Sequence, residues 1–262
     1  MEITMDQPNY VGELTAAPID PKLREAADSD KEGHRQFPGT VGSVLWAARM
    51  TRPYISLDVA VISGATNTPT VAEAQRAAKV VKKAKYSEAF QRFPGMSGPI
   101  FIIAYCDAAW GNLSDGKTGG GIVLAPAAIN VHAFNHVFFP IGWIFKHLRR
   151  FLRSTFAGGT LIASDALDEV VHLPETQTEL VAEDLGWLLR TEPCSLHEHA
   201  VFKGTCKERR HNGEINALKG TLQQGKITQL EWFKIRVQLA DAMTKHMTAL
   251  SLLPPLNFAI LH

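Results

Sequence analysis

The stretch PIFIIAYCDAAWGN, residues 99–112, constrains the fold more than any other part of the chain. Its unbroken apolar run from Ile100 to Cys106, rich in β-branched and aromatic residues, is closed by Asp107 and the turn-forming Gly111 and Asn112, and it reads as a buried strand. Two further strand patterns follow, GGGIVLAPA and HVFFPIGWI, in a succession that suits antiparallel pairing. Beyond them helix and strand alternate. The pattern predicts a helix over 153–173, a strand over 186–192, a helix in RRHNGEINALKGTLQQ, a strand in ITQLEWFKI and a last short helix in QLADAMTKHM. Three strands followed by alternating elements imply an α/β layer architecture, with a mixed five-stranded sheet flanked by helices.

The chain is large enough for such a core: 262 residues with 45% hydrophobic content suit one large domain or two small ones. Residues 1–36 are polar and proline-dotted without periodicity, which predicts a loosely ordered lead-in. Residues 37–92 read as a small helical subdomain. Within it, GTVGSVLWAARMTRPYISLDVAVIS gives two apolar helical runs broken at Arg52-Pro53, because proline disfavours helix in the residue before it. TPTVAEAQRAAKVVKKAK adds a helix with threonine caps and a basic end. RFPGMSGP, residues 92–99, reads as the linker to a second domain over 99–250, and 251–262 as a tail.

Lys and Arg number 27 against 26 Asp and Glu, a formal charge of +1, so affinity for nucleic acid has to come from local clusters. Cys106, Cys194 and Cys206 form no CxxC pair, and no charged-then-apolar leader opens the chain. The expectation is a reduced, intracellular protein, cytoplasmic or nuclear. The longest greasy runs are too short and too interrupted to span a bilayer, so no membrane partner is expected.

Three carboxylates stand where chemistry is often placed. Asp107 closes one strand, Glu192 closes another, and Asp241 starts a helix. Acids at neighbouring strand ends can assemble a divalent-metal site, because hard cations such as Mg²⁺ take oxygen ligands. Any one such acid is more often a cap or a solvated turn residue than a metal ligand. The helix over 153–173 poses a separate question. Ser154 or Thr155 suits its N-cap, and Phe156, Ala163, Ala166, Leu167, Val170 and Val171 form its apolar stripe. Gly158 and Gly159 oppose it, since each glycine inside a helix costs about 1 kcal/mol relative to alanine.

From about residue 37 to 248 the chain resembles the carboxy-terminal part of the Pol polyprotein of copia-type retrotransposons, the tail of the reverse transcriptase followed by ribonuclease H. The matching blocks, in order, are GSVLWAARMTRPYI, PTVAEAQRAAKVVKKAK, YCDAAWGNLSDGKTGGGIVL, KHLRRFLRSTFAGGTLIASDALDEV, TEPCSL and LADAMTKHM. The resemblance implies a ribonuclease H fold that hydrolyses the RNA strand of an RNA–DNA hybrid, with two Mg²⁺ (or Mn²⁺) ions held by four carboxylates. On the matching positions Asp107 is the first acid, expected to bridge both ions, and Asp241 the last. Gly159 stands where the family's Ser-Thr-x-Ala-x-Glu-Thr helix start has its glutamate. Glu192 stands where the family has an aspartate.

These departures imply a degenerate nuclease. An added methylene at Glu192 displaces the ligand oxygen by about 1 Å, and misplacement on that scale can cost about 10²-fold. Asp165 and Asp168 lie roughly 120° and 180° around the helix from position 159 and do not replace the missing acid. Metal binding is therefore expected to be weak and cleavage low or lost. No Tyr-x-Asp-Asp occurs in the chain, so polymerase activity is not expected.

Lys146, His147, Arg149, Arg150 and Arg153, near Trp143 and Phe151, form a basic cluster. Lys146, Arg149, Arg150 and Arg153 are its candidates for holding hybrid phosphates. The competing role is a solvated loop with snorkelling stems. Lys203, Lys207, Arg209 and Arg210 suit a solvated face. Cys194, His197, His199, Cys206 and His211 match no common structural-zinc spacing. Trp46, Trp110, Trp143, Trp187 and Trp232 are expected in core or rim packing. Two functional readings stand: a decayed ribonuclease H, free or within a polyprotein, and a non-catalytic nucleic-acid-binding module or transposon-derived fragment without selected function.

Overall fold

The computed structural model describes residues 3–20, 22–25, 27–86, 91–93, 95, 100–113, 116–128, 136–148, 151–177, 186–191, 194–202, 209–232, 239–244 and 260–261. The amino-terminal part comprises β1 (Ile3–Met5), α1 (Pro8–Glu13), α2 (Lys31–Met50), a 3-10 turn (Pro53–Ile55), α3 (Ser56–Ser63), α4 (Val71–Tyr86) and β2 (Gln91–Phe93). Asp30 caps α2 by accepting from the Gly33 amide at 2.7 Å. At the start of α4 the Thr70 amide donates to Glu73 Oε2 at 3.0 Å and the Glu73 amide to Thr70 Oγ1 at 3.4 Å, a reciprocal capping pair. The break between α2 and α3 falls at Pro53, as its backbone restriction predicts. Phe37, Val44 and Ala47 of α2 pack with Val59 and Ile62 of α3 and Ala77 and Val80 of α4 in one core.

The lead-in differs from the loose segment expected over 1–36. β1 pairs antiparallel with β2, placing Ile3 opposite Phe93, and Val11, Leu14 and Ala17 are buried in the helical core. α2 already starts at Lys31. The first residues of the expected linker are therefore a strand. A three-residue strand has no periodicity of its own to read, and its hydrogen bonds come from a partner far away in the chain.

The second part comprises β3 (Ile100–Ala109), β4 (Thr118–Ala128), β5 (His136–Phe138), β6 (Gly142–Leu148), α5 (Thr155–Gln177), β7 (Gly186–Thr191), α6 (Cys194–His197), α7 (Asn212–Gln223), β8 (Gln229–Trp232), α8 (Asp241–Thr244) and β9 (Ile260–Leu261). Its five main strands are ordered β6-β4-β3-β7-β8. β4 is antiparallel to both β3 and β6, whereas β7 is parallel to β3 and β8 to β7, which makes the sheet mixed. Short β5 and β9 extend it beside the Ala128 end of β4. HVFFPIGWI, expected as one strand, is split at Pro140 into β5 and β6. Proline has no amide for the ladder, and the amides of Phe139 and Ile141 on either side of it donate to β4 carbonyls instead.

Side chains of β3 alternate between two cores. Ile102, Ala104 and Cys106 face α5, which covers them with Ile162, Ala163, Ala166 and Val170. Ile103 and Tyr105 face the opposite side, with Trp143, Leu239 and Met243. The helical part closes that second side: α2 and α3 lie against β6, the 3-10 turn and α3 against α8, and Trp143 Nε1 donates to the Ala48 carbonyl at 2.7 Å. Two helices approach β4 at successive glycines. A Cβ at Gly120 would lie 2.6 Å from Ile162 Cδ1 of α5, and one at Gly121 would lie 2.6 Å from Met243 Cβ and 3.0 Å from the Ala240 carbonyl beside α8. Only glycine leaves room for both. Among the described residues no helix is long and apolar enough to cross a membrane.

Candidate functional site

Asp107 lies near the end of β3, opposite Gly121, and is only 2% exposed. The Thr244 hydroxyl donates to Asp107 Oδ2 at 2.6 Å. The Asn112 side-chain amide donates to the Thr244 carbonyl at 2.7 Å, and Asn112 Oδ1 accepts from the Gly119 amide at 2.8 Å. The blocks DAAWGN and LADAMTK, 132 and 137 residues apart at these contacts, are thus tied together. Asp241, also buried, opens α8 one turn before Thr244 and so shares its helix face.

β7 runs parallel to β3 in a register that sets Thr191 beside Cys106, the residue before Asp107. Glu192, which follows Thr191 in the chain, lies outside the described residues, as do Arg149 and Arg150. On the other face, Ser154 caps α5 by accepting from the Ala157 amide at 3.2 Å. Gly158 and Gly159, four residues before Ile162 and Ala163, continue the sheet-facing stripe and are buried. A Cβ at Gly158 would lie 3.2 Å from Ala108 Cβ and 3.5 Å from Leu152 Cδ1 and Thr118 Cγ2. The first turns of α5 therefore rest on Ala108 of β3, on the face of the sheet opposite the one where Thr244 meets the Asp107 carboxylate.

Asp107 and Asp241 are both described and both buried. Among the described residues no three or more His, Cys, Asp or Glu side chains gather as a metal site would need. Hard cations such as Mg²⁺ each require several oxygen ligands, and of the three acids that the resemblance assigns to them Asp107 and Asp241 lie within the described residues.

The basic candidates separate. Lys146 on β6 reaches across to α5, with Nζ 3.6 Å from Asp165 Oδ2 and 3.3 Å from Glu169 Oε1, so acids balance its charge. Arg153 is exposed, next to exposed Phe151 and close to Trp110, whose Nε1 donates to the Leu152 carbonyl at 2.9 Å. Arg209 and Arg210 are exposed, and Lys203, Lys207 and Cys206 lie outside the described residues. His199 Nδ1 is 2.6 Å from the Ser195 carbonyl, and buried His211 meets Phe156 edge-on. Trp143 and Trp187 are buried as expected, but Trp46, Trp110 and Trp232 are 52%, 56% and 43% exposed.

Sequence reasoning gave Asn112 only a turn role and gave Thr244 none, although both stand inside the two quoted blocks. It also missed a buried cation. Arg190 on β7 donates through Nη1 to the Tyr105 hydroxyl at 2.9 Å and through Nε to Glu231 Oε2 at 2.7 Å, and its guanidinium lies 5.5 Å from the Tyr105 ring centre. An arginine within the apolar GWLLRT strand was the available signal. Burial pushes the Tyr105 hydroxyl above its ordinary pKa, against the attraction of Arg190, and pushes the Cys106 thiol up to about 12.

Three successive antiparallel strands followed by two parallel ones, with helices on both faces, make the mixed five-stranded sheet flanked by helices that the sequence predicts. No family model matches the chain, and no curated protein does. Solved structures similar to it include ribonuclease H domains and a viral protease-reverse transcriptase. The N-terminal RNase H domain of rv2228c from Mycobacterium tuberculosis is 12% identical, with a TM-score of 0.38 over 58% of this chain and 96% of that one. LC11-RNase H1, in complex with an RNA/DNA hybrid, is 16% identical, with a TM-score of 0.37 over 53% and 88%. Prototype Foamy Virus protease-reverse transcriptase is 11% identical, with a TM-score of 0.37 over 58% of this chain and 21% of that one.

Proposed function

We propose that the chain is a degenerate ribonuclease H of copia-type retrotransposon origin, in which a reverse transcriptase remnant over 37–92 precedes a nuclease domain over 99–250. Its substrate class is the RNA–DNA hybrid, and hydrolysis of the RNA strand is weak or lost. The observation that carries this reading is the Thr244–Asp107 hydrogen bond, which joins the two blocks most specific to the resemblance at the end of the first strand of a ribonuclease H-like sheet. Asp107, Glu192 and Asp241 are the residues that would meet Mg²⁺ or Mn²⁺, and Gly159, standing where the family has a glutamate, supports the reading that the set falls short. Lys146, Arg149, Arg150 and Arg153 are the candidates for hybrid phosphates, Lys146 the weakest because of its acidic partners.

The test is restoration. Gly159→Glu, alone and with Glu192→Asp, is assayed for cleavage of an end-labelled hybrid in Mg²⁺ and in Mn²⁺, with Gly158→Glu in parallel because position 158 is directed at Ala108. The starting chain is expected to cleave poorly and a restored variant to cleave better. Robust turnover by the starting chain refutes the degeneracy. Folded, hybrid-binding variants that still fail to cleave leave a binding module as the function.

A further inference from the structure

The seam between the helical part and the sheet forms a half-open cleft of about 610 Å³, walled by α3, α4 and the turn after β3. That volume is in the range of ligand pockets, roughly 300–1,000 Å³. Its charged lining is Asp58, Arg76, Lys79 and Lys83. Lys83 Nζ is held by Asp58 Oδ2 at 2.8 Å and by the Tyr54 carbonyl at 3.4 Å, so that pair is neutral within the wall. Arg76 and Lys79 remain: both are exposed, and they stand one turn apart on the α4 face that also carries Lys83. In a chain of net charge +1, a recess holding two more cations than anions is a local positive field.

Asn112 forms the wall nearest the candidate site. Its amide and its carbonyl oxygen are both engaged, with the Thr244 carbonyl and the Gly119 amide, so it is a fixed partition. On its other side the Thr244 hydroxyl meets Asp107. Cavity and carboxylate are therefore neighbours across two residues.

We propose that the cavity holds the phosphodiester backbone of a nucleic-acid strand, with Arg76 and Lys79 neutralising phosphates while the strand passes over Asn112 toward Asp107. The identity of that strand as part of an RNA–DNA hybrid rests on the proposed function; the phosphate site itself does not. Both side chains are exposed, so their removal leaves the helical core intact.

The experiment measures binding of a fluorescein-labelled RNA–DNA hybrid, and of the matching DNA duplex and single strand, to the full chain between 50 and 200 mM KCl. Arg76→Ala/Lys79→Ala is compared with Arg209→Ala/Arg210→Ala, a basic pair beside α7, and with the charge reversal Arg76→Glu/Lys79→Glu. Each phosphate left without its cation lowers the slope of log affinity against log salt by about one. Removing both cations is therefore expected to flatten the slope by about two and weaken binding at low salt, with the reversal weaker still and the Arg209/Arg210 variant unchanged. Unchanged thermal melting of the variants assigns the loss to the site. An unchanged slope and affinity in both Arg76/Lys79 variants overturns the proposal, as does a starting chain that binds none of the three probes. Salt-sensitive, Arg76/Lys79-dependent binding without preference for the hybrid, and without cleavage by the restored variants, would instead defeat the ribonuclease H reading and leave the phosphate site standing.

Discussion

The hydroxyl of Thr244 donates to Oδ2 of Asp107 at 2.6 Å, linking the four-residue helix α8 to the strand at the centre of the sheet. A helix of one turn has no stability of its own, so its position depends on what it touches. Here these include the Asp107 carboxylate, the Asn112 amide and the bare backbone of Gly121, with the 3-10 turn and α3 on the other side.

Replacing Thr244 by valine keeps the shape and removes the donor from a buried carboxylate. A hydrogen bond to a charged group contributes about 1.5–3 kcal/mol, so urea denaturation should show a loss in that range. Thr244→Ser should retain most of the stability. A larger loss for Thr244→Ser than for Thr244→Val would mean that the methyl group, rather than the hydroxyl, fixes α8.

Glycine substitutions should divide by place. Gly42 is an exposed position inside α2 with nothing within 4 Å of its would-be Cβ, so Gly42→Ala should stabilise by up to about 1 kcal/mol. Gly121→Ala would bring a methyl within 2.6 Å of Met243 Cβ and should destabilise by about 1–3 kcal/mol, as overpacking does, by forcing α8 outward. Thermal melting of the two variants should move in opposite directions.

Arg190 is almost wholly buried, with Glu231 partly open to solvent and Tyr105 closed in beside it. Removing one partner of a buried pair costs about 3–5 kcal/mol, and the partial exposure of Glu231 puts Arg190→Ala near the lower end. Tyr105→Phe removes one hydrogen bond and should cost about 1 kcal/mol. A near-neutral Arg190→Ala in chemical denaturation would show that the network adds no net stability.

Local chemistry accounts for what the chain reveals in advance. The apolar run at Ile100–Cys106, the Pro53 break and the Ser154 cap each state their structure within a few residues. β1 and β2 do not, because Ile3 needs Phe93 to be a strand at all. The same division runs through the site. Asp107 and Asp241 stand out as acids at element ends, but the role of Thr244 appears only when α8 folds back onto β3. Lys146 reads as a free cation in sequence, because its partners Asp165 and Glu169 lie on a different element.

Cys106 gives the fold a dependence on alkaline pH. Burial raises the thiol from an ordinary 9.0 to about 12, so the native state favours the neutral form. Its contribution is fully present below pH 9 and is lost as pH rises toward 12, at up to about 1.4 kcal/mol per pH unit. Stability measured by urea midpoints at pH 8, 9.5 and 11 should fall more steeply for the starting chain than for Cys106→Ala. Parallel curves would contradict this.

Trp143 reaching the Ala48 carbonyl has a practical corollary. The punctuation near residue 95 invites excision of the downstream half for expression by itself, yet that cut would strip the cover from the strand bearing Trp143 and from the flank of α8. Such a fragment should clump or precipitate where the intact polypeptide does not. Trimming the first thirty-six residues would likewise leave β2 without its mate, so an assay on a shortened version would report on a damaged molecule.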